Sequence, residues 1–109
     1  MQPSPLRLEY LDKVLNHYQA RYGGKLPTDL WNIHLYALPE RAGQSGAGVP
    51  PDASSPVGWT YTWSQTVDIG ILAQNLRAMR QWMADRSERD KPLIITEFGQ
   101  LIPDDVPIR

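Results

Sequence analysis

Apolar residues at Leu8, Leu11, Val14 or Leu15, Tyr18 and Tyr22 recur every three or four positions, which places them on one face of a helix over residues 5–22. Ser4 stands where an N-cap belongs, and Pro5 takes the first helical position, where its missing N–H costs nothing. Gly23-Gly24 stops the helix, because glycine enters the left-handed conformation without a side-chain clash. Lys25-Leu26-Pro27-Thr28-Asp29 reads as a short turn. Residues 30–36 are rich in aromatic and β-branched types and too few for a typical helix, so a strand is expected. Trp31, Ile33 and Leu35 share one side of it, and Asn32, His34 and Tyr36 share the other.

Pro39 to Gly58 is crowded with glycine, proline and serine, and reads as a long irregular loop or flexible insertion within the segment 37–65. Loops of that length are uncommon unless functional or disordered. Trp59-Thr60-Tyr61-Thr62-Trp63 alternates aromatic residues with threonine, so an extended backbone would carry all three rings on one side. The helical period returns over 67–86 with Ile69, Leu72, Leu76, Met79 and Met83 as the apolar stripe and Trp82 beside it. Arg86, Glu88, Arg89 and Asp90 read as a solvated face that closes this helix. Pro92 is confined to a strand start because it cannot donate to a sheet ladder, and 93–97 is expected to be a short buried strand. Helix, strand, long loop, helix, strand is the alternation of an α/β fold with a parallel sheet and crossover helices. Loops that follow strands in such a sheet gather at its carboxyl end, where ligand sites form.

Composition narrows the chemistry. At 109 residues and 41% hydrophobic content the chain is one domain at most. The absence of cysteine removes disulfide scaffolds and thiolate metal sites, and His17 and His34 are too far apart in sequence to signal a metal cluster, so neither a metal nor a cofactor is expected. His17, among polar neighbours, is expected at the surface. A net charge of -1 supplies no attraction for a polyanion, which argues against a nucleic-acid partner. No apolar run approaches the ~20 residues of a membrane span, so no membrane partner is expected. Met1 to Pro5 has neither the cationic end nor the apolar stretch of a signal peptide, so secretion would need a signal in a longer parent.

Two features carry candidate chemistry. Glu97 ends an apolar strand, and is either a carboxylate presented at the functional rim or a solvated loop residue or helix cap. Trp59, Tyr61 and Trp63 offer rigid rings suited to the C–H faces of sugars, or else pin the long loop to the body of the domain. Asn32 and His34 are either polar core groups linking neighbouring strands or lining for a wet site; for Asn32 the former is the expectation.

The run Ile95-Thr96-Glu97-Phe98-Gly99 resembles the end of the seventh strand in clan A glycoside hydrolases, which are (β/α)₈ barrels. His34-Leu35-Tyr36 is similar to the end of the sixth strand in that clan, in the cellulase-like family 5 above all. The resemblance covers Leu30 to Gly99 and implies a partial TIM barrel built around the sixth and seventh strands. It implies that Glu97 is the nucleophile of a retaining glycosidase, that Tyr36 orients it through a hydrogen bond, and that His34 with Trp59, Tyr61 and Trp63 contacts a carbohydrate substrate. The clan's acid/base glutamate lies in an Asn-Glu pair ending the fourth strand, and this sequence has no such pair. Glu9 and Glu88 lie on helices. Glu40 lies on the correct rim, but its context does not mark it as an acid.

A barrel of this type takes ~250 residues, so the chain is expected to be part of a larger hydrolase and inactive by itself. Two alternatives are a non-catalytic carbohydrate-binding barrel and a half-barrel that self-associates through unpaired sheet edges. Sugar, linkage and exo or endo action depend on loops outside this sequence.

Overall fold

The computed structural model describes residues 1–44 and 46–101. In chain order it contains helix α1 (Pro5–Tyr22), strand β1 (Trp31–Leu35), a 3₁₀ turn (Trp63–Val67), helix α2 (Ile69–Asp85) and strand β2 (Leu93–Phe98). The two strands pair in parallel with α2 in the crossover, so the α/β alternation read from the sequence is present. Among the described residues no helix is long and apolar enough to cross a membrane.

Each element has a local cause. Ser4 is the α1 N-cap in extended conformation, but its hydroxyl bonds Glu40 rather than the helix amides. Gly23 closes α1 in the left-handed conformation, φ 74°, with its N–H on the Gln19 carbonyl. Leu8, Leu11 and Leu15 face the core; Val14 is exposed and His17 lies at the surface. At α2 the carboxylate of Asp68 caps the helix by accepting from the amides of Gly70 and Ile71. The helix therefore begins at Ile69 instead of 67, and the 3₁₀ turn occupies the preceding residues.

The core forms where β1 meets α2. Trp31 and Ile33 pack on Met79, Trp82 and Met83, with Leu35 joining them, so β1 presents its apolar side to the helices as its period of two requires. Trp31 and Trp82 meet edge to face with ring centroids 4.9 Å apart. Each fully buried apolar side chain here contributes roughly 1.5–3 kcal/mol of transfer free energy.

Four expectations need correction. Ile69 is 79% exposed, and the stripe on α2 instead includes the buried Asn75, four residues before Met79. The strand at 93–97 extends to Phe98 and is mostly exposed, because the described residues pack only one of its sides and pair only one of its edges. The charges after α2 are not all solvated. Glu88 is buried against Lys91, Lys25 and Thr28, while Arg86 pairs with Asp12 and stacks on the Trp82 ring at 4.4 Å. The 37–65 segment is irregular as expected, with no helix or strand among its described residues before the 3₁₀ turn, but it is not a loose insertion. Arg41 and Val57 bridge in antiparallel fashion, Glu40 N–H donates to the Trp59 carbonyl at 2.7 Å, and Gly58 N–H donates to the Glu40 carbonyl at 2.8 Å. Side chains of α1 fasten the rest: Arg7 donates to the Ala47 carbonyl, Lys13 to the Asp52 carbonyl, and Glu9 accepts from Ser54.

Candidate functional site

The polar side of β1 and the end of β2 meet at the carboxyl end of the sheet. The register runs Trp31 with Leu93, Asn32 with Ile94, Ile33 with Ile95, and then skips to His34 with Glu97. Thr96 is thus a bulge residue. With unbroken alternation Glu97 would share the side of Leu93 and Ile95; the extra residue moves it beside His34. The Thr96 hydroxyl donates to Asn32 Oδ1 at 2.8 Å, which fixes the bulge from the same side. Asn32 is exposed yet satisfied, linking the two strands from outside the core rather than within it.

Three of the candidate residues converge. The Tyr36 hydroxyl lies 3.5 Å from Glu97 Oε2 and donates to it, and His34 Nδ1 lies 3.2 Å from the same oxygen. The Glu97 side chain is 53% exposed, so the carboxylate is held on one oxygen and open to solvent. The His34 N–H donates to the Met1 carbonyl at 2.8 Å, and Gln2 both donates to and accepts from the Leu38 main chain. The stretch before α1 therefore steadies the end of β1.

The aromatic residues do not form one ladder. Trp59 and Tyr61 are neighbours, with ring centroids 5.3 Å apart and planes at 52°. Trp63 opens the 3₁₀ turn and is not part of that pair, because the backbone leaves the extended conformation there. The Tyr61 hydroxyl donates to Asn75 Oδ1 at 3.3 Å, and burial pushes its phenol up to about 12, so it stays a donor at any physiological pH. Gln100, just past β2, donates to Thr66 at 3.0 Å and ties this turn to the chain after Glu97.

The three other glutamates are committed elsewhere. Glu40 is fully buried, accepting from Ser4 with the Arg7 guanidinium 3.7 Å away. Glu9 pairs with Lys13 at 2.8 Å, and Glu88 with Lys91. Among the described residues no group of three or more His, Asp or Glu side chains is placed to hold a metal ion.

Sequence reasoning missed Asn75, Gln2 and the Thr96 bulge. An asparagine within an apolar helical stripe was a readable signal for Asn75, since a buried amide must find partners. No family model matches the chain, and neither a curated protein nor a solved structure is significantly similar to it.

Proposed function

We propose that this chain carries the sixth- and seventh-strand part of a retaining glycoside hydrolase barrel, with Glu97 as the nucleophile. The observation that carries the reading is the convergence of the Tyr36 hydroxyl and His34 Nδ1 on one oxygen of a solvent-open carboxylate at the carboxyl end of parallel strands. A nucleophile for an anomeric carbon has to be ionised, aimed and reachable. The contacts on Oε2 fix the plane of the carboxylate, leaving Oε1 to approach the sugar.

In the double displacement, Glu97 attacks C1 and the glycosidic oxygen leaves with its electron pair, accepting a proton from a second carboxyl ~5 Å from the first. Water then attacks C1 of the glycosyl ester, giving a proton to the second carboxyl, now ionised, and Glu97 departs as the carboxylate. Glu9, Glu40 and Glu88 are held by other partners, so none of these three serves as the second carboxyl. Trp59 and Tyr61 supply ring faces for a sugar, with His34 beside the nucleophile as a further contact. The partner is a carbohydrate.

The test is Glu97→Gln in the protein expressed from its full reading frame, assayed on a panel of aryl glycosides and by glycan binding. Turnover falls by at least a thousandfold and binding persists. Unchanged hydrolysis removes the assignment, and glycan binding without turnover in the wild type favours the non-catalytic binding barrel.

A further inference from the structure

Asn75 lies on α2, fully buried, one helical turn before Met79. Its two polar atoms bond different parts of the candidate site. Nδ2 donates to the Tyr36 main-chain carbonyl at 2.8 Å, and Oδ1 accepts from the Tyr61 hydroxyl at 3.3 Å. Tyr36 follows directly on β1, beyond the last ladder pair, Leu35 with Phe98. Its carbonyl is therefore fastened by a side chain where the sheet no longer fastens it. The phenol on the same residue is the one that reaches Glu97.

We propose that Asn75 is a positioning residue, whose amide nitrogen fixes the backbone carrying the Tyr36 phenol against Glu97 while its oxygen fixes the Trp59–Tyr61 pair on the same helix. The role rests on the glycosidase reading and adds a connection to it: the aromatic pair and the nucleophile's hydrogen-bond donor are registered to each other through one buried amide. An apolar residue of similar size would fill the space, yet it would leave the Tyr36 carbonyl and the Tyr61 hydroxyl without their partners. A small displacement of a group that aims a nucleophile is enough to cost one to two powers of ten in rate. Asn75 acts on the rate of attack through its nitrogen and on substrate affinity through its oxygen. The two effects are separable by substitution.

The experiment uses the protein expressed from its full reading frame and a panel of 2-deoxy-2-fluoroglycosyl fluorides of gluco, manno and galacto configuration. A Glu97 oxygen bonds to C1 as the C1–F bond breaks and fluoride leaves with the electron pair, so no acid is required. Mass spectrometry follows the ester, giving a limiting rate and a half-saturating concentration. Asn75→Leu fills the space and removes both the donor to Tyr36 and the acceptor for Tyr61, and Tyr61→Phe removes the second contact alone. The limiting rate of Asn75→Leu falls by about tenfold to a hundredfold, as does that of Tyr36→Phe, and the double variant of these two is no slower than the slower single variant. Tyr61→Phe, which leaves the Asn75 nitrogen in place, raises the half-saturating concentration and spares the limiting rate. Multiplying losses in the Asn75→Leu, Tyr36→Phe double variant overturn the positioning role, as does a slower limiting rate in Tyr61→Phe. Wild-type protein that forms no ester at Glu97 overturns the glycosidase reading itself, and the role built on it.

Discussion

Gly58→Ala tests what holds the long segment after β1 in place. Gly58 packs against the buried carboxyl of Glu40, and a Cβ at this position would lie 2.8 Å from Glu40 Cδ and 3.2 Å from its Cγ, with Oε2 nearer still. Neither backbone can withdraw cheaply, because Gly58 N–H donates to Glu40 and Glu40 N–H donates to Trp59. Moving the Glu40 side chain instead would part it from the Ser4 hydroxyl and the Arg7 guanidinium. Overpacking costs ~1–3 kcal/mol and an abandoned buried polar partner ~1–3 kcal/mol, and the chain divides the strain between the two, so the loss is about 2–3 kcal/mol. Amide hydrogen exchange reads this locally. The Glu40 and Gly58 amides should exchange roughly 30- to 150-fold faster in the variant. In a Glu40→Ala background the obstruction is gone, and the further cost of Gly58→Ala should fall to about 0.5 kcal/mol or less. Exchange unchanged within about threefold, or an undiminished penalty in that background, refutes the reasoning.

Glu88 gives a pH signature of its own. Burial acts to raise its pKa, but the hydrogen bond and charge of Lys91, together with Lys25, outweigh it and hold the carboxyl below its usual 4.5. A depressed carboxylate stabilises the fold above the unfolded value and loses that contribution as pH falls from 4.5 through the folded value. Glu88→Gln should therefore be less stable than wild type at neutral pH and show a flatter stability profile below pH 4.5; parallel profiles would contradict the assignment. The 109-residue chain alone exposes Phe98 to 78%, Ile95 to 40% and Ile94 to 39% along a strand paired on one edge, so it should elute as oligomers in size-exclusion chromatography, and Phe98→Lys should shift it towards monomer. A wild-type chain that elutes as a folded monomer would show that the open edge does not drive association.

What the sequence disclosed follows from which signals are local. The helix 5–22 was legible from its caps and spacing, and β1 from its period of two, because each depends on residues within one or two turns or pleats. The order within the long segment was not legible. Its contacts join Arg7 to Ala47, Lys13 to Asp52 and Glu9 to Ser54, across some forty positions each, and no local pattern announces them. Glu88 misled for the same reason. A run of alternating charges reads as solvated, and only the fold brings Lys25 from the far side of β1 to the carboxylate. The alternation that groups Trp63 with Trp59 and Tyr61 assumes extended backbone, whereas the capping box of Thr62 and Gln65 turns the chain into a 3₁₀ helix at that ring.

The bulge at Thr96 connects these points to the site. Thr96 and Glu97 are adjacent polar residues at the end of an apolar strand, and strict alternation must turn one of them toward the side of Leu93 and Ile95. A carboxylate there would stand apart from His34 and Tyr36, which contact it from the polar side, while one skipped ladder position costs little. The chain resolves the conflict by doubling Thr96 and Glu97 onto the polar side, where Asn32 accepts from the Thr96 hydroxyl, and His34 and Tyr36 face the carboxylate. The polar row Asn32, His34, Tyr36 on β1 is thus the template for the end of β2. Asn32 fastens the bulge while His34 and Tyr36 hold Glu97, so the register of the sheet and the geometry of the candidate nucleophile have one physical origin.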